Sequence, residues 1–158
     1  MSGIVNQGLF VKSGIIRNTI SNAFLVHETS DGWATKSNVV WPLTPTPSPL
    51  AEAFDDSGGW DTSTYKWTVP YSGIWLLGMK VYTCWNDATN EFLWWKDNSS
   101  WPIAGAQHIM LKQEDGGTSD NTIDDTMVVN LTVGDVLHVR ANGDIHQGMS
   151  YAYGCQLG

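Results

Sequence analysis

Tyr65-Lys66-Trp67-Thr68-Val69-Pro70-Tyr71-Ser72-Gly73-Ile74-Trp75-Leu76-Leu77-Gly78-Met79-Lys80-Val81-Tyr82 reads as two strands with a corner between them. In the first, Tyr65, Trp67 and Val69 share one face, and Lys66 and Thr68 the other, the period of two of a half-buried strand. Pro70 removes a backbone donor and ends that ladder, and Ser72-Gly73 supplies a turn. Beyond Gly73 both faces are apolar. Ile74, Leu76, Tyr82 and Cys84 fall on one side, and Trp75, Leu77, Met79 and Val81 on the other. A strand apolar on two faces sits between a core and a second contact, which is either a covering loop or another subunit.

Outward from this stretch the chain keeps the same character. Its 158 residues suit one domain with an arm. Residues 1–20 place Ile4, Val5, Leu9, Phe10, Val11, Ile15 and Ile16 among Gly3, Gly8 and Gly14, a spacing that fits neither an amphipathic helix nor one clean strand. An extended arm with apolar anchors fits better, and a first strand paired with the domain's own sheet is the alternative. The domain proper is then residues 21–158.

Strands are expected at Asn22–Glu28, Asn38–Trp41, Ala51–Phe54, Glu91–Lys96, Trp101–Ala104, Ala106–Lys112, Thr122–Thr132, Val136–Ala141 and Met149–Leu157. Turns fall at Thr29–Gly32, Asp55–Gly59, Asp97–Ser100, Val133–Asp135 and Asn142–Asp144. Pro42, Pro45, Pro47 and Pro49 forbid a central strand and read as a stiff surface loop. Many short strands at such intervals mean an all-β sandwich or barrel.

The net charge of −8 argues against nucleic acid and anionic membranes as partners, because no basic patch exists to displace counterions from phosphate. Cys84 and Cys155 lack metal spacing and read as buried thiols, with a bridge between them possible. No apolar run approaches the ~20 residues that span a bilayer, and Met1–Phe10 has no basic segment followed by a long apolar one. The expectation is a protein made in a cytoplasm.

His27, His108, His138 and His146 are scattered, and neither a nucleophile elbow nor a phosphate-binding glycine loop occurs. Asp55-Asp56, Asp61 and Asp124-Asp125 read as solvated turns. The expectation is no enzyme, no metal and no cofactor.

Four pieces in register resemble the C1q/tumour-necrosis-factor jelly roll. They are Trp60–Trp75, with its aromatic, polar turn, aromatic strand, Pro, Gly and aromatic; Phe92-Leu93-Trp94-Trp95-Lys96-Asp97-Asn98; Leu131-Thr132-Val133-Gly134-Asp135-Val136-Leu137-His138-Val139; and Tyr151-Ala152-Tyr153-Gly154-Cys155-Gln156-Leu157. The match spans about residues 50–158. Trp75 stands where the family usually has Tyr, and no collagen-like repeat precedes the domain.

The resemblance implies a homotrimer with aromatic faces around a three-fold axis. Nine tryptophans crowd one small core, and indoles suit interfaces. Trp75, Trp85, Trp94, Trp95 and Tyr153 are therefore the expected trimer-interface residues. A small acidic jelly roll with an apolar arm is similar to virion accessory proteins of tailed bacteriophages. The arm, short and without heptads, suits a capsid decoration (cement) protein docked on the head, with the major capsid protein or another virion protein as partner. A receptor-binding tip of a fibre or spike is the first alternative, and a free C1q-like module that binds carbohydrate or protein the second.

Overall fold

The computed structural model describes residues 22–45, 54–83, 90–96, 108–113 and 121–157. The expected arm at residues 1–20 lies outside the described residues, as do Cys84, Trp85, and the strand expected at Trp101–Ala104.

The described residues form eleven strands: β1 (Ala23–His27), β2 (Trp33–Val40), β3 (Phe54–Asp55), β4 (Trp60–Asp61), β5 (Lys66–Thr68), β6 (Gly73–Thr83), β7 (Asn90–Lys96), β8 (His108–Gln113), β9 (Asn121–Leu131), β10 (Val136–His146) and β11 (Tyr151–Gln156). They make two layers. One has the order β3-β1-β11-β6-β9, and the other places β10 between β7-β8 on one side and β2, β5 and β4 on the other. All these pairings are antiparallel. The layers join at one corner, where Ile145 of β10 pairs with Thr83 of β6.

The core between the layers follows from the period of two. Trp75, Leu77, Met79 and Val81 of β6 meet Phe24 and Val26 of β1, Trp67 of β5, Phe92 and Trp94 of β7, and Leu137, Val139 and Ala141 of β10, all buried. Phe24 is packed on Trp67 at 4.7 Å between centroids, and Trp67 stands edge-on to Trp75 at 4.8 Å. Offset and edge-to-face pairs of this kind let aromatic rings fill a core without stacking face to face.

Glu28 is the buried charge of this layer. Its carboxylate accepts from the Trp41 indole at 2.9 Å, pairs with Lys36 at 2.9 Å and accepts from the Gln147 amide. A buried carboxylate is tolerable when it is surrounded by donors in this way. Lys96 and Asp135 form the equivalent pair below the β9–β10 turn, at 2.6 Å.

Three expectations are corrected. The turn at Asn142–Asp144 is instead part of β10, which runs on to His146. The register shifts between Ala141 and Gly143, and Gly143 adopts a φ of 122°. Across this step β2 has one residue more than β10, Val39 to Lys36 against Ala141 to Gly143, a β-bulge that bends the ladder without ending it. β2 begins at Trp33 rather than Asn38, because its first half is held by the end of β10 in spite of its polar residues. The proline segment is not wholly a surface loop. Leu43 is buried, and Thr44 exchanges backbone hydrogen bonds with His27.

A candidate assembly surface

Strand β6 is apolar on both sides, and the two sides meet different fates. The outer side of its layer is built by register alone. Leu76 lies between Cys155 and Val128, and Gly78 lies between Tyr153 and Thr126. Tyr153 in turn opposes Leu25, and Leu25 opposes Phe54. The result is an apolar band crossing five strands: Phe54, Leu25, Tyr153, Leu76 and Val128, with Ile74 at its end. Ile74 is 48% exposed, Phe54 40% and Val128 62%. The next row, Tyr151, Lys80 and Asp124, is polar and closes the band on one side.

Gly78 shapes the middle of the band. A Cβ there would lie 2.3 Å from the Tyr153 ring, so the ring covers the bare backbone of β6. Tyr151 and Tyr153 stand 6.1 Å apart. Beside them a depression of about 380 Å³ is lined by Phe54, Leu25, Tyr151, Tyr153, Cys155 and Asp124 among others. Burial, and then the Asp124 carboxylate nearby, raise the Tyr153 hydroxyl above the ordinary tyrosine pKa. Burial also raises the Cys155 thiol, which leaves less of the reactive thiolate at neutral pH.

The residues expected at an interface do not gather here. Trp75 and Trp94 are correctly placed on strands but wrongly assigned to an interface: both are 0% exposed inside the subunit. The period of two turns Trp75 toward the opposing layer, where its indole donates to the Tyr71 carbonyl at 3.2 Å. Trp95 lies half-buried on the outer side of the other layer, with the Arg140 guanidinium 5.1 Å from its ring. Trp85 lies outside the described residues, and so do Ile4, Val5, Leu9, Phe10, Val11, Ile15 and Ile16. Among the described residues of the expected set, Tyr153 alone stands on the apolar band. Leu25, Phe54 and Val128 were missed. Leu76 and Ile74 had a signal, since they share the second apolar side of β6 seen in the sequence.

Among the described residues no three His, Cys, Asp or Glu side chains gather to hold a metal ion. Asp55 is occupied by its own turn, accepting from the backbone of Gly58 and Trp60. Asp61 accepts from Ser63 and Thr64. Those bonds, the Ser63 hydroxyl first, lower its carboxyl to about 2. Among the described residues no helix is long and apolar enough to cross a membrane.

No family model matches the chain, and no curated protein does. Solved structures do. Eiger TNF from S. frugiperda is 17% identical, with a TM-score of 0.61, covering 87% of this chain and 92% of its own. Murine APRIL is 14% identical, with a TM-score of 0.59 and coverage of 85% and 98%. The globular domain of the zebrafish complement 1qA protein is 13% identical, with a TM-score of 0.57 and coverage of 87% and 98%. The fold is therefore the C1q/TNF-like jelly roll.

Proposed function

We propose that this protein is a non-enzymatic structural module that works as a homotrimer, its subunits packed around a three-fold axis through the outer side of the β3-β1-β11-β6-β9 layer. The observation that carries the reading is the exposed apolar band of Ile74, Leu76, Tyr153, Leu25, Phe54 and Val128. Contiguous apolar surface of this kind is unfavourable in water and marks an interaction site. A second copy is the natural cover, because a cyclic arrangement closes and leaves no band exposed. Tyr153, an aromatic with a polar tip, is the residue type that interface centres favour.

The finer reading keeps the virion role. The trimer decorates a bacteriophage head as a cement protein, made in the host cytoplasm and resident in the virion. Residues 1–20 fasten it to the major capsid protein or another virion protein. Its support is the Gly-broken run of apolar anchors in a chain with a net charge of −8.

Sedimentation equilibrium tests the first part. The expected mass at micromolar concentration is that of three chains, and a stable monomer overturns the trimer. Mixing with purified heads tests the second. The full chain is expected to bind and raise the heads' heat resistance, and deletion of residues 1–20 is expected to abolish both. Binding to whole host cells, with none to heads, would replace decoration by a receptor-binding tip.

A further inference from the structure

A separate feature occupies the corner where the two layers join. Trp33 opens β2 and pairs with His146 at the end of β10, while Tyr82 lies next to the Thr83–Ile145 bridge. The three rings touch. Trp33 lies 5.5 Å from Tyr82 at an interplanar angle of 33°, and 5.1 Å from His146 at 76°. Tyr82 and His146 are 6.1 Å apart. Four of the other described tryptophans are 0% exposed, yet Trp33 is 46% exposed.

A carboxylate flanks this ring cluster. The Asp31 side chain is 89% exposed, and its Oδ1 lies 3.8 Å from His146 Nδ1. Oδ1 also accepts from the Gly32 backbone at 2.9 Å. Its approach depends on Gly148, where a Cβ would stand 2.6 Å from that oxygen.

The loop bearing Asp31 and Trp33 is tied down. The Gln147 backbone donates to the Gly32 carbonyl at 2.9 Å, and the Gln147 side chain donates to buried Glu28. Glu28 is fixed in turn by Trp41 and Lys36. An exposed indole on so rigid a frame is a preorganised contact that loses little side-chain freedom when a ligand arrives.

We propose that this corner is a carbohydrate platform that takes one neutral pyranose ring. The π face of an indole is electronegative, and the C–H face of a pyranose is weakly electropositive and apolar, so the two stack. A carboxylate at the rim of that face accepts hydrogen bonds from sugar hydroxyls, and each such bond is charge-assisted. A quaternary ammonium ion is the competing chemistry. It favours aromatic walls set apart around an empty box, whereas these rings lie against one another and present a platform. The footprint, one indole and one carboxylate, suits a sugar unit better than a protein surface.

The test uses the full chain. The methyl glycosides of glucose, galactose, mannose and N-acetylglucosamine are titrated while the Trp33 indole N–H is followed by NMR, that signal being assigned by its loss in Trp33→Phe. Tetramethylammonium chloride is the competing probe. At least one glycoside is expected to bind with millimolar affinity, with Trp33→Ala weakening it by about tenfold or more and Asp31→Asn by about threefold to tenfold. Asp31 is exposed, so Asp31→Asn is expected to keep the wild-type unfolding midpoint; Trp33→Ala loses its contacts with Tyr82 and His146 and is expected to lower it slightly, and both variants are expected to keep the wild-type sedimentation mass.

The proposal is overturned if no glycoside shifts Trp33, if Trp33→Ala binds as the wild type does, or if the ammonium ion binds and the sugars do not. A drop in mass for Trp33→Ala also overturns it, since the ring then belongs to a contact between subunits. A wild-type monomer that still binds sugar sinks the trimer alone and leaves the platform standing.

Discussion

The two sides of β6 are almost equally apolar in sequence and opposite in fate. The inner side, Trp75, Leu77, Met79 and Val81, is 0% exposed. The outer side, Ile74, Leu76 and Tyr82 with Lys80 among them, is half-buried or exposed. Hydrophobicity therefore says that both sides want cover. It does not say whether that cover is the opposing layer of the same subunit or something outside it. The difference separates folding energy from assembly energy, and substitutions on the two sides are expected to be read by different instruments.

The largest contrast is a leucine on each side. Leu77→Ala empties a filled core site and is expected to lower unfolding stability by about 2–5 kcal/mol, read in urea. Leu76→Ala is expected to leave that stability within about 1 kcal/mol and to weaken the trimer in sedimentation. Equal losses of stability for the two would break the comparison.

Two glycines sharpen it with one substitution. At Gly154 a Cβ would stand 2.6 Å from the Phe24 ring and 2.8 Å from Leu77, both in the core. Gly154→Ala is expected to destabilise the fold by about 1–3 kcal/mol through overpacking. At Gly78 the obstacle is the half-exposed Tyr153 ring, which can swing outward. Gly78→Ala is expected to spare the fold and disrupt the trimer, with a monomer–trimer shift as the readout.

Within the core, indole N–H groups differ. Trp41 donates to Glu28, whereas Trp94 Nε1 is buried with no hydrogen-bond partner among the described residues. Trp41→Phe is expected to cost about 1 kcal/mol more than Trp94→Phe in chemical unfolding, because it takes one donor from a buried carboxylate.

The smallest effect is electrostatic and lies far from both sides. Asp61 has its pKa lowered from 3.8 to about 2 by its turn. A depressed pKa means that the folded state favours the charged form. Its contribution is therefore complete above pH 3.8 and is lost as pH falls through about 2. NMR titration of the Asp61 carboxyl is expected to show a midpoint near 2 in the wild type, and one nearer 3.8 when Ser63 and Thr64 are both replaced by alanine.

The sandwich was legible because strands leave a period-two trace and turns leave Gly, Asp and Asn. Lys66–Tyr82, Leu131–Val139 and Tyr151–Leu157 fall where the sequence placed them, whereas Tyr65, read as a strand residue, lies in the preceding turn with a φ of 58°. The run of β10 through Gly143 was not legible, since Asn-Gly-Asp is also good hairpin chemistry. Only pairing with β2 keeps β10 running. The tryptophans misled for a related reason. Composition shows an excess of indoles, but which side of a strand each one takes depends on register with a partner far away in the chain.

Sequence alone determined the class of fold, the acidic character, the apolar nature of both sides of β6 and the place of Tyr153 on a strand. Tertiary structure decided that Trp75 and Trp94 belong inside, that Leu25, Phe54, Leu76 and Val128 share one open band, and that Asp31, Trp33, Tyr82 and His146 meet at a corner. Alternation along a strand is a local property that neighbouring residues fix. Which strands lie side by side, and hence which side chains become neighbours, is set by pairing between segments dozens of residues apart.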